Sequence, residues 1–268
     1  MRKKAQTPTT SSQAIGLNRY NRLVSKIFLD RYVPGATEVA FARDEIVNAA
    51  SELDIALPKN LGDVLYSFRY RVPLPIAIQE TAPQGQGWII EGRGRGLYRF
   101  RLEELFDITP RQGLAQIKVP DATPGLVALY ATDDEQALLS RLRYNRLLDV
   151  FTGLTCYSLQ NHLRSTVPEM GQVETDELYV GLDKRGRHFA LPVQAKGGND
   201  AHNTVQIKQD LALCAHRFPQ LPCRPIGAQF MRDGTIALFE FALEDARLVL
   251  REEKHYRLVS PHELSRDD

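Results

Sequence analysis

Residues 173–199, VETDELYVGLDKRGRHFALPVQAKGGN, decide the fold, because they have the pattern of two strands joined by a tight turn. Residues 173–183 and 188–195 are rich in Val, Leu, Tyr and Phe, which favour strands. The KRGR segment between them, residues 184–187, has the composition of a turn. We therefore predict a β-hairpin in the second half of the chain.

The register of this hairpin predicts a cluster of polar side chains. A hairpin that is symmetric about Arg185 places Asp176 opposite Gln194. The same symmetry places Glu174 opposite Lys196. Side chains alternate between the two faces of a strand, so these four side chains share one face and the odd-numbered residues of the second strand form the opposite, apolar face. Two acids, an amide and a lysine are thus expected to meet in one small patch.

Such a patch contains the ligands of a magnesium site. Mg²⁺ prefers carboxylate, amide and carbonyl oxygens, and it usually keeps several waters and binds substrate phosphate. A lysine beside the ion can orient a water and offset the negative charge that develops on a phosphate in the transition state. The patch therefore predicts phosphate chemistry with Mg²⁺, for which Mn²⁺ can substitute.

The spacing of the motif also resembles a known family. Asp176, a hairpin and then Gln194-Ala195-Lys196 resemble the PD-(D/E)xK nuclease superfamily, in the variant with glutamine in place of the first acid of the last motif. This variant is typical of Mrr-like restriction nucleases, which tend to carry a winged-helix domain before the catalytic one. The resemblance covers roughly the last half of the chain. It implies a restriction-endonuclease-like α/β core with a central mixed sheet flanked by helices.

The resemblance implies a role for each residue of the patch. Asp176 would bind Mg²⁺ and Gln194 would complete or support the coordination. Lys196 would orient the attacking water or stabilise charge on the phosphate. Either Glu174 or Glu177 would be the second acid, and the predicted register favours Glu174 as a metal ligand because it shares a face with Lys196. Since Gln194 is neutral, metal binding would depend on Asp176 and this second acid.

Composition bounds the class of protein. The 268 residues suit one large or two small domains, and the net charge of +1 means that any basic surface must be local. Cys156, Cys214 and Cys223 form no CxxC pair, which suits a reducing cytoplasm and argues against structural zinc. No apolar run is long enough for a membrane helix, and the basic start of the chain lacks the apolar segment of a secretory signal. We expect a cytoplasmic protein without membrane contact, with residues 1–13 as a disordered tail.

The first part of the chain has the order of a winged helix. Helical patterns occupy three segments, residues 18–32, 43–53 and 61–70. A short strand pattern at 38–41 lies between the first two helices, and two further strand patterns at 88–91 and 97–101 enclose a Gly-Arg-Gly-Arg-Gly turn. Residues 14–106 are therefore predicted to form a winged-helix-like domain.

Arginines cluster where such a domain contacts DNA. They lie at the end of the third helix and in the wing: Arg69, Arg71, Arg93, Arg95, Arg99 and Arg101. In a winged helix the third helix enters the major groove and the wing touches the backbone. Arginines beside glycines suit close phosphate contact, although they would equally suit a solvated hairpin. We predict that this domain binds double-stranded DNA.

The remaining elements complete a second domain. Residues 107–130 are rich in Pro and Gly and form the predicted connector, and residues 131–268 form the nuclease domain. A capping box of Thr132 with Glu135 begins a helix that runs to about residue 151. A second helical segment follows Gly153 and is predicted from four polar residues, Tyr157, Gln160, Asn161 and Arg164.

Another helix follows the hairpin, beginning near Asn203 or Thr204 and ending at residue 218. Its predicted core face consists of Ile207, Leu211, Ala215 and Phe218. Related nucleases often carry a glutamine on this helix that reaches the substrate or the lysine, so Gln206 is a candidate DNA contact. Three strands are predicted after it, at residues 224–231, 236–241 and 249–259, the last of them at the sheet edge.

The function predicted from these patterns is Mg²⁺-dependent cleavage of duplex DNA. A restriction endonuclease fits best, because a reader domain beside a cleavage domain suits site-specific or modification-dependent cutting, and we expect a homodimer. Two other classes remain open. One is a repair or recombination nuclease that acts on branched or single-stranded DNA, and the other is a non-catalytic winged-helix regulator.

Overall fold

The computed structural model describes residues 10–70, 72–104, 108–130, 135–168, 170–198, 200–245 and 247–264. The chain divides into two compact units, Met1–Leu105 and Phe106–Asp268. The secondary structure is mixed α+β, with one three-stranded and one seven-stranded sheet. In the part of the chain that is described, no helix is both long and apolar enough to cross a membrane.

The first unit combines helices with a small antiparallel sheet. Its elements are α1 (Thr10–Leu29), β1 (Glu38–Ala42), α2 (Asp44–Glu52), α3 (Gly62–Tyr70), α4 (Ile76–Gln79), β2 (Gln86–Gly92) and β3 (Leu97–Glu104). The strands lie in the order β1-β3-β2. The three predicted helices, the short strand and the hairpin are confirmed. Helix α1 begins earlier than predicted, so that residues 10–13, which were predicted as part of a disordered tail, are helical.

Aromatic packing forms the core of the first unit. Leu23, Ile27 and Phe28 recur at helical spacing along α1 and are buried. The Phe28 ring lies 4.9 Å from the Trp88 ring and 5.0 Å from the Phe100 ring, both in edge-to-face geometry. These contacts join the first helix to both strands of the hairpin, which holds the sheet against the helices.

The second unit is built on the seven-stranded sheet. Its elements are β4 (Gln116–Pro120), α5 (Gly125–Tyr130), α6 (Glu135–Tyr144), α7 (Leu147–Thr152), β5 (Thr155–Val167), β6 (Gly171–Leu182), β7 (His188–Gly197), α8 (Thr204–Arg217), β8 (Ile226–Phe230), β9 (Ile236–Glu244) and β10 (Arg247–Val259). The strands lie in the order β4-β10-β9-β8-β7-β6-β5. The pairs β7–β8 and β4–β10 are parallel and the others are antiparallel, so the sheet is mixed.

Helices pack against both faces of this sheet. Leucines of α6 and α7 bury against Leu191, Val193 and Ala195 of β7. On the other face, Leu213 of α8 belongs to a cluster with Leu178 of β6. Because side chains alternate along β6 and β7, these strands contribute apolar residues to the core on each face of the sheet. The same alternation determines which residues face α6 and α7 and which face α8.

One predicted element of this unit has the wrong secondary structure. The segment after Gly153 was predicted to be helical but forms strand β5. The register between β5 and β6 shifts between Ser158 and Gln160, and His162 has a φ of 47°. These two irregularities break the two-residue alternation, so the polar residues of the strand recur at a spacing that resembles a helix.

The predicted connector, residues 107–130, belongs to the second unit. Strand β4 lies within it and pairs in parallel with β10, so that β4 and not β10 forms this edge of the sheet. The connector is also held by Arg111, whose backbone N–H and guanidinium Nε donate to the Glu253 carboxylate at 2.8 and 2.7 Å. The Glu253 side chain is fully buried in β10, whereas that of Arg111 is largely exposed, so the pair connects the surface to the interior.

Candidate active site

The β6–β7 hairpin has the predicted register. Its pairs run from Leu182 opposite His188 to Glu177 opposite Val193, and every pair is centred on Arg185. The turn is closed by Asp183, whose carboxylate accepts the backbone N–H groups of Arg185 and Arg187 at 2.8 and 2.9 Å. Gly186 supplies the positive φ that this turn requires. Because the turn is regular, Asp176 and Gln194 follow directly after the last of these pairs.

Asp176 is bound to the strand that carries the rest of the motif. Its Oδ2 accepts the backbone N–H of Ala195 at 2.8 Å. Burial raises the pKa of the Asp176 carboxyl above its usual value, and this hydrogen bond and the positive charge of Lys196 oppose the rise. A carboxylate in this position is partly desolvated but still electrostatically linked to a lysine, which suits it to binding a cation.

Gln194 is buried and its amide is fixed by two partners. Its Nε2 donates to the backbone carbonyl of Glu174 at 3.3 Å and to the Asp210 carboxylate oxygens at 3.1 and 3.0 Å. Gln194 and Asp210 are 1 % and 0 % exposed, respectively. Burial raises the pKa of Asp210 well above its usual range, and the nearby charge of Asp176 adds to the rise. Asp210 is therefore a member of the site that the sequence analysis did not assign to it.

Asp210 was missed because the core face of α8 was predicted in the wrong phase. The prediction followed Ile207, Leu211 and Ala215 at four-residue steps, but Ala215 is exposed. Ile207, Asp210 and Cys214 recur at steps of three and four and are all buried. A single acid on this otherwise apolar stripe was the signal that could have identified it.

Lys196 lies at the end of β7 next to the first turn of α6. Its Nζ is 3.1 Å from Glu135 Oε1, and its side chain is 13 % exposed. Burial, with the charge of Lys196 as a smaller cause, lowers the pKa of His202 to about 3, so this buried histidine is neutral at physiological pH. The positive charge of Lys196 also acts on three carboxyl groups. It forms an ion pair with Glu135, and it opposes the rise in the pKa of Asp176 and of Asp210.

The two candidates for the second acid have different surroundings. Glu174 is half-exposed, and its carboxylate contacts Arg164 at 2.9 Å and His162 at 3.7 Å, both on β5. Glu177 is fully buried and accepts hydrogen bonds from Arg143 of α6 at 2.8 Å and from Ser158 at 2.5 Å. Glu177 thus faces α6 in a structural ion pair, and of the two acids Glu174 is the one that shares a neighbour, His162, with Asp176.

The donor set suits a magnesium ion that keeps water. Among the residues that the structure describes, no three His, Cys, Asp or Glu side chains converge into a preformed metal cluster. Mg²⁺ does not require one, since it is commonly held by one or two carboxylates together with waters and substrate phosphates. Asp176 and the amide oxygen of Gln194 supply oxygen donors of this kind, so the residues present fit the ion.

The wing arginines form ion pairs within their own sheet. Arg93 and Arg99 both contact Glu38 of β1, at 3.2 and 2.9 Å, and Arg99 also contacts Glu91 at 2.8 Å. Arg101 contacts Glu103 at 3.0 Å. The two contacts of Arg99 arise because β3 lies between β1 and β2, which brings a glutamate of each neighbour beside it. Much of the positive charge in the wing is therefore balanced locally.

The remaining predicted DNA contacts differ in exposure. Arg95 lies at the exposed tip of the wing and forms no ion pair with another described residue. The Nε and Nη2 atoms of Arg69 are buried, as is Oε1 of the half-buried Gln206. Arg71 lies outside the described residues. Of the predicted DNA contacts in the wing and at the end of α3, Arg95 is the one whose charge is most available to a phosphate.

Comparison of the chain with protein-family models, with curated proteins and with solved structures found no match in any of the three.

Proposed function

We propose that the second unit is a Mg²⁺-dependent DNA endonuclease of the PD-(D/E)xK type. The observation that carries this proposal is the contact between Asp176 and the Gln194–Lys196 segment. Asp176 accepts the Ala195 N–H at 2.8 Å, and the Lys196 charge favours its ionised form. An acid, an amide oxygen and a lysine that meet on two adjacent strands are what metal-assisted hydrolysis of a phosphodiester requires.

The element order supports this proposal. The second unit runs helix, helix, three antiparallel strands, helix, strand through α6, α7, β5, β6, β7, α8 and β8. The motif residues lie on β6 and β7, the second and third strands from the β5 edge of a mixed sheet with helices on both faces. The order helix, strands, helix, strands is the one that the resemblance to these nucleases implies.

Each residue of the site then has a chemical task. Asp176 and Gln194 would hold Mg²⁺, which when bound polarises the scissile phosphate and acidifies a water. Lys196 orients that water and offsets the charge on the phosphate as the bond to the leaving oxygen breaks. The pair with Glu135 holds the Lys196 ammonium beside Asp176. Glu174, the second acid, is held at the rim by Arg164.

The first unit would deliver this chemistry to duplex DNA. Its order α1, β1, α2, α3, β2, β3 and its sheet order β1-β3-β2 support a winged helix. In such a domain α3 enters the major groove and the β2–β3 turn, with Arg95, approaches the backbone. A reader next to a cleavage unit supports a restriction enzyme, and a homodimer would allow both strands to be cut.

Plasmid cleavage tests the proposal. Purified protein is incubated with supercoiled plasmid, carrying or lacking cytosine and adenine methylation, in Mg²⁺, Mn²⁺ or EDTA. We expect nicked and linear products only with a divalent ion, and none with the Asp176→Ala variant. The same protein is tested on labelled forks and junctions. Absence of metal-dependent cleavage on every substrate, with intact DNA binding, would favour the non-catalytic regulator.

A further inference from the structure

Gln194 is neutral at a position where an acid would bind a cation more strongly. Its surroundings explain how its amide oxygen can still act as a metal ligand. Both hydrogens of its amide are used, one by the Glu174 carbonyl at 3.3 Å and one by the Asp210 carboxylate at about 3 Å. The Glu174 carbonyl can only accept, so the amide directs Nε2, and not Oε1, towards this carbonyl and the Asp210 carboxyl group. Oε1 lies on the other side of the amide carbon and is the atom left for a cation.

Asp210 is an unusual group to find buried. It is 0 % exposed on α8, and both of its carboxyl oxygens lie within hydrogen-bond distance of Gln194 Nε2. Removing a carboxylate from water without an ion pair is unfavourable. Burial accordingly raises the pKa of Asp210, and the two distances to Nε2 tie its carboxyl group to the Gln194 amide.

We propose that Asp210 is a positioning residue, which orients the Gln194 amide so that its oxygen is directed towards the cation. The inference rests on the proposed function, because it concerns the same metal site. The pair Gln194–Asp210 then acts as one unit in metal binding.

This pairing determines what substitutions should do. Asp210→Asn preserves size and should fold, but its amide offers a donor as well as an acceptor, so it no longer fixes which end of the Gln194 amide faces α8. Gln194→Glu alone brings a second carboxylate within about 3 Å of Asp210, and two buried like charges at this distance oppose both folding and each other's ionisation. Combining Gln194→Glu with Asp210→Asn restores one carboxylate and one amide, with their positions exchanged.

Metal binding by the four proteins tests the proposal without any need for catalysis. Wild type, the two single variants and the double variant are titrated with Mg²⁺ and with Mn²⁺ by calorimetry, and their thermal unfolding is measured without metal. We expect Asp210→Asn to weaken metal binding by about 10- to 100-fold, the range typical of groups that orient a ligand. The double variant should recover most of that affinity and most of the stability that Gln194→Glu loses.

Asp245→Asn is the matched control, since it makes the same change at an exposed turn position with a φ of 49°, which asparagine tolerates. The inference alone is overturned if wild type binds Mg²⁺ and Asp210→Asn binds it equally well, or if the losses in the double variant are the sum of the single losses. If wild type binds neither ion and cleaves no substrate, the proposed function fails and this inference fails with it.

Discussion

Replacement of Lys196 by methionine is the most direct test of the chemistry. Lys196→Met keeps a long apolar stem and removes only the positive charge. Little stability should be lost, because the ion pair that it breaks joins a lysine that is 13 % exposed to a glutamate that is 40 % exposed. Pairs of this kind near the surface contribute about 1 kcal/mol at most. The folded site, with Asp176 still bound to Ala195, should therefore persist.

The loss in rate can be estimated from the charge alone. A unit charge about 4 Å from a phosphate oxygen, at an effective dielectric constant of about 20, contributes about 4 kcal/mol. Removing a single preorganised electrostatic group typically costs about 10²–10³ in rate, or 2.7–4 kcal/mol. We therefore predict that Lys196→Met slows the chemical step by a factor of about 10²–10³ and leaves DNA affinity unchanged.

Single-turnover cleavage measures this step without the influence of product release. Excess protein is mixed with a plasmid that the wild type cuts, and DNA binding is followed separately by a mobility shift. Lys184→Met is the control, because Lys184 is an exposed lysine at the tip of the same hairpin. If Lys196→Met cuts at the wild-type rate while remaining folded, the lysine has no role in the reaction and the assignment of the site is refuted.

Three further predictions follow from contacts described above. Arg95→Ala should reduce the slope of log K for DNA binding against log salt concentration by about one. Arg99→Ala removes a charge that is already paired and should change this slope less, so equal slopes for the two variants would contradict the prediction. Because burial raises the pKa of Asp210, this group keeps its proton in the folded state above about pH 4, where it loses the proton in the unfolded chain. Its own contribution to stability in metal-free buffer should therefore fall as pH rises from there, and Asp210→Asn should remove that part of the pH dependence in urea titrations. A fall of equal slope in the variant would show that another group is responsible. Arg143→Met should lower the free energy of unfolding, measured in urea, by on the order of 3 kcal/mol, because it leaves the fully buried Glu177 carboxylate without its guanidinium partner. A decrease as small as that for an exposed arginine would mean that another group compensates the Glu177 charge.

The local sequence pattern was sufficient to predict the β6–β7 hairpin but not strand β5 beside it. The turn at Arg185 carries its own information, in Asp183 and Gly186, so the register of β6 and β7 could be predicted from neighbouring residues. Strand β5 has a register shift and a positive φ at His162, and no local rule predicts where such irregularities occur. The strand was consequently predicted as a helix.

The partners of the site residues come from distant segments, and this is why the sequence did not reveal them. Glu135 contacts Lys196 across 61 positions of the chain and Asp210 contacts Gln194 across 16. The wing shows the same limit, since Arg99 is neutralised by Glu38 across 61 positions. Periodicity identifies which side chains share a face, but it does not show which element will cover that face.

The contribution of β4 to the sheet determines how the second unit can be produced alone. A fragment that begins at residue 131 would lack β4 and Arg111, which leaves the N–H and C=O groups of β10 unpaired from His255 to Val259 and the buried Glu253 without its arginine. An open strand of this kind recruits other chains and promotes aggregation. A fragment that begins at Phe106 retains its own edge protection, and comparing the two by size-exclusion chromatography should show aggregates for the shorter fragment and not for the longer one.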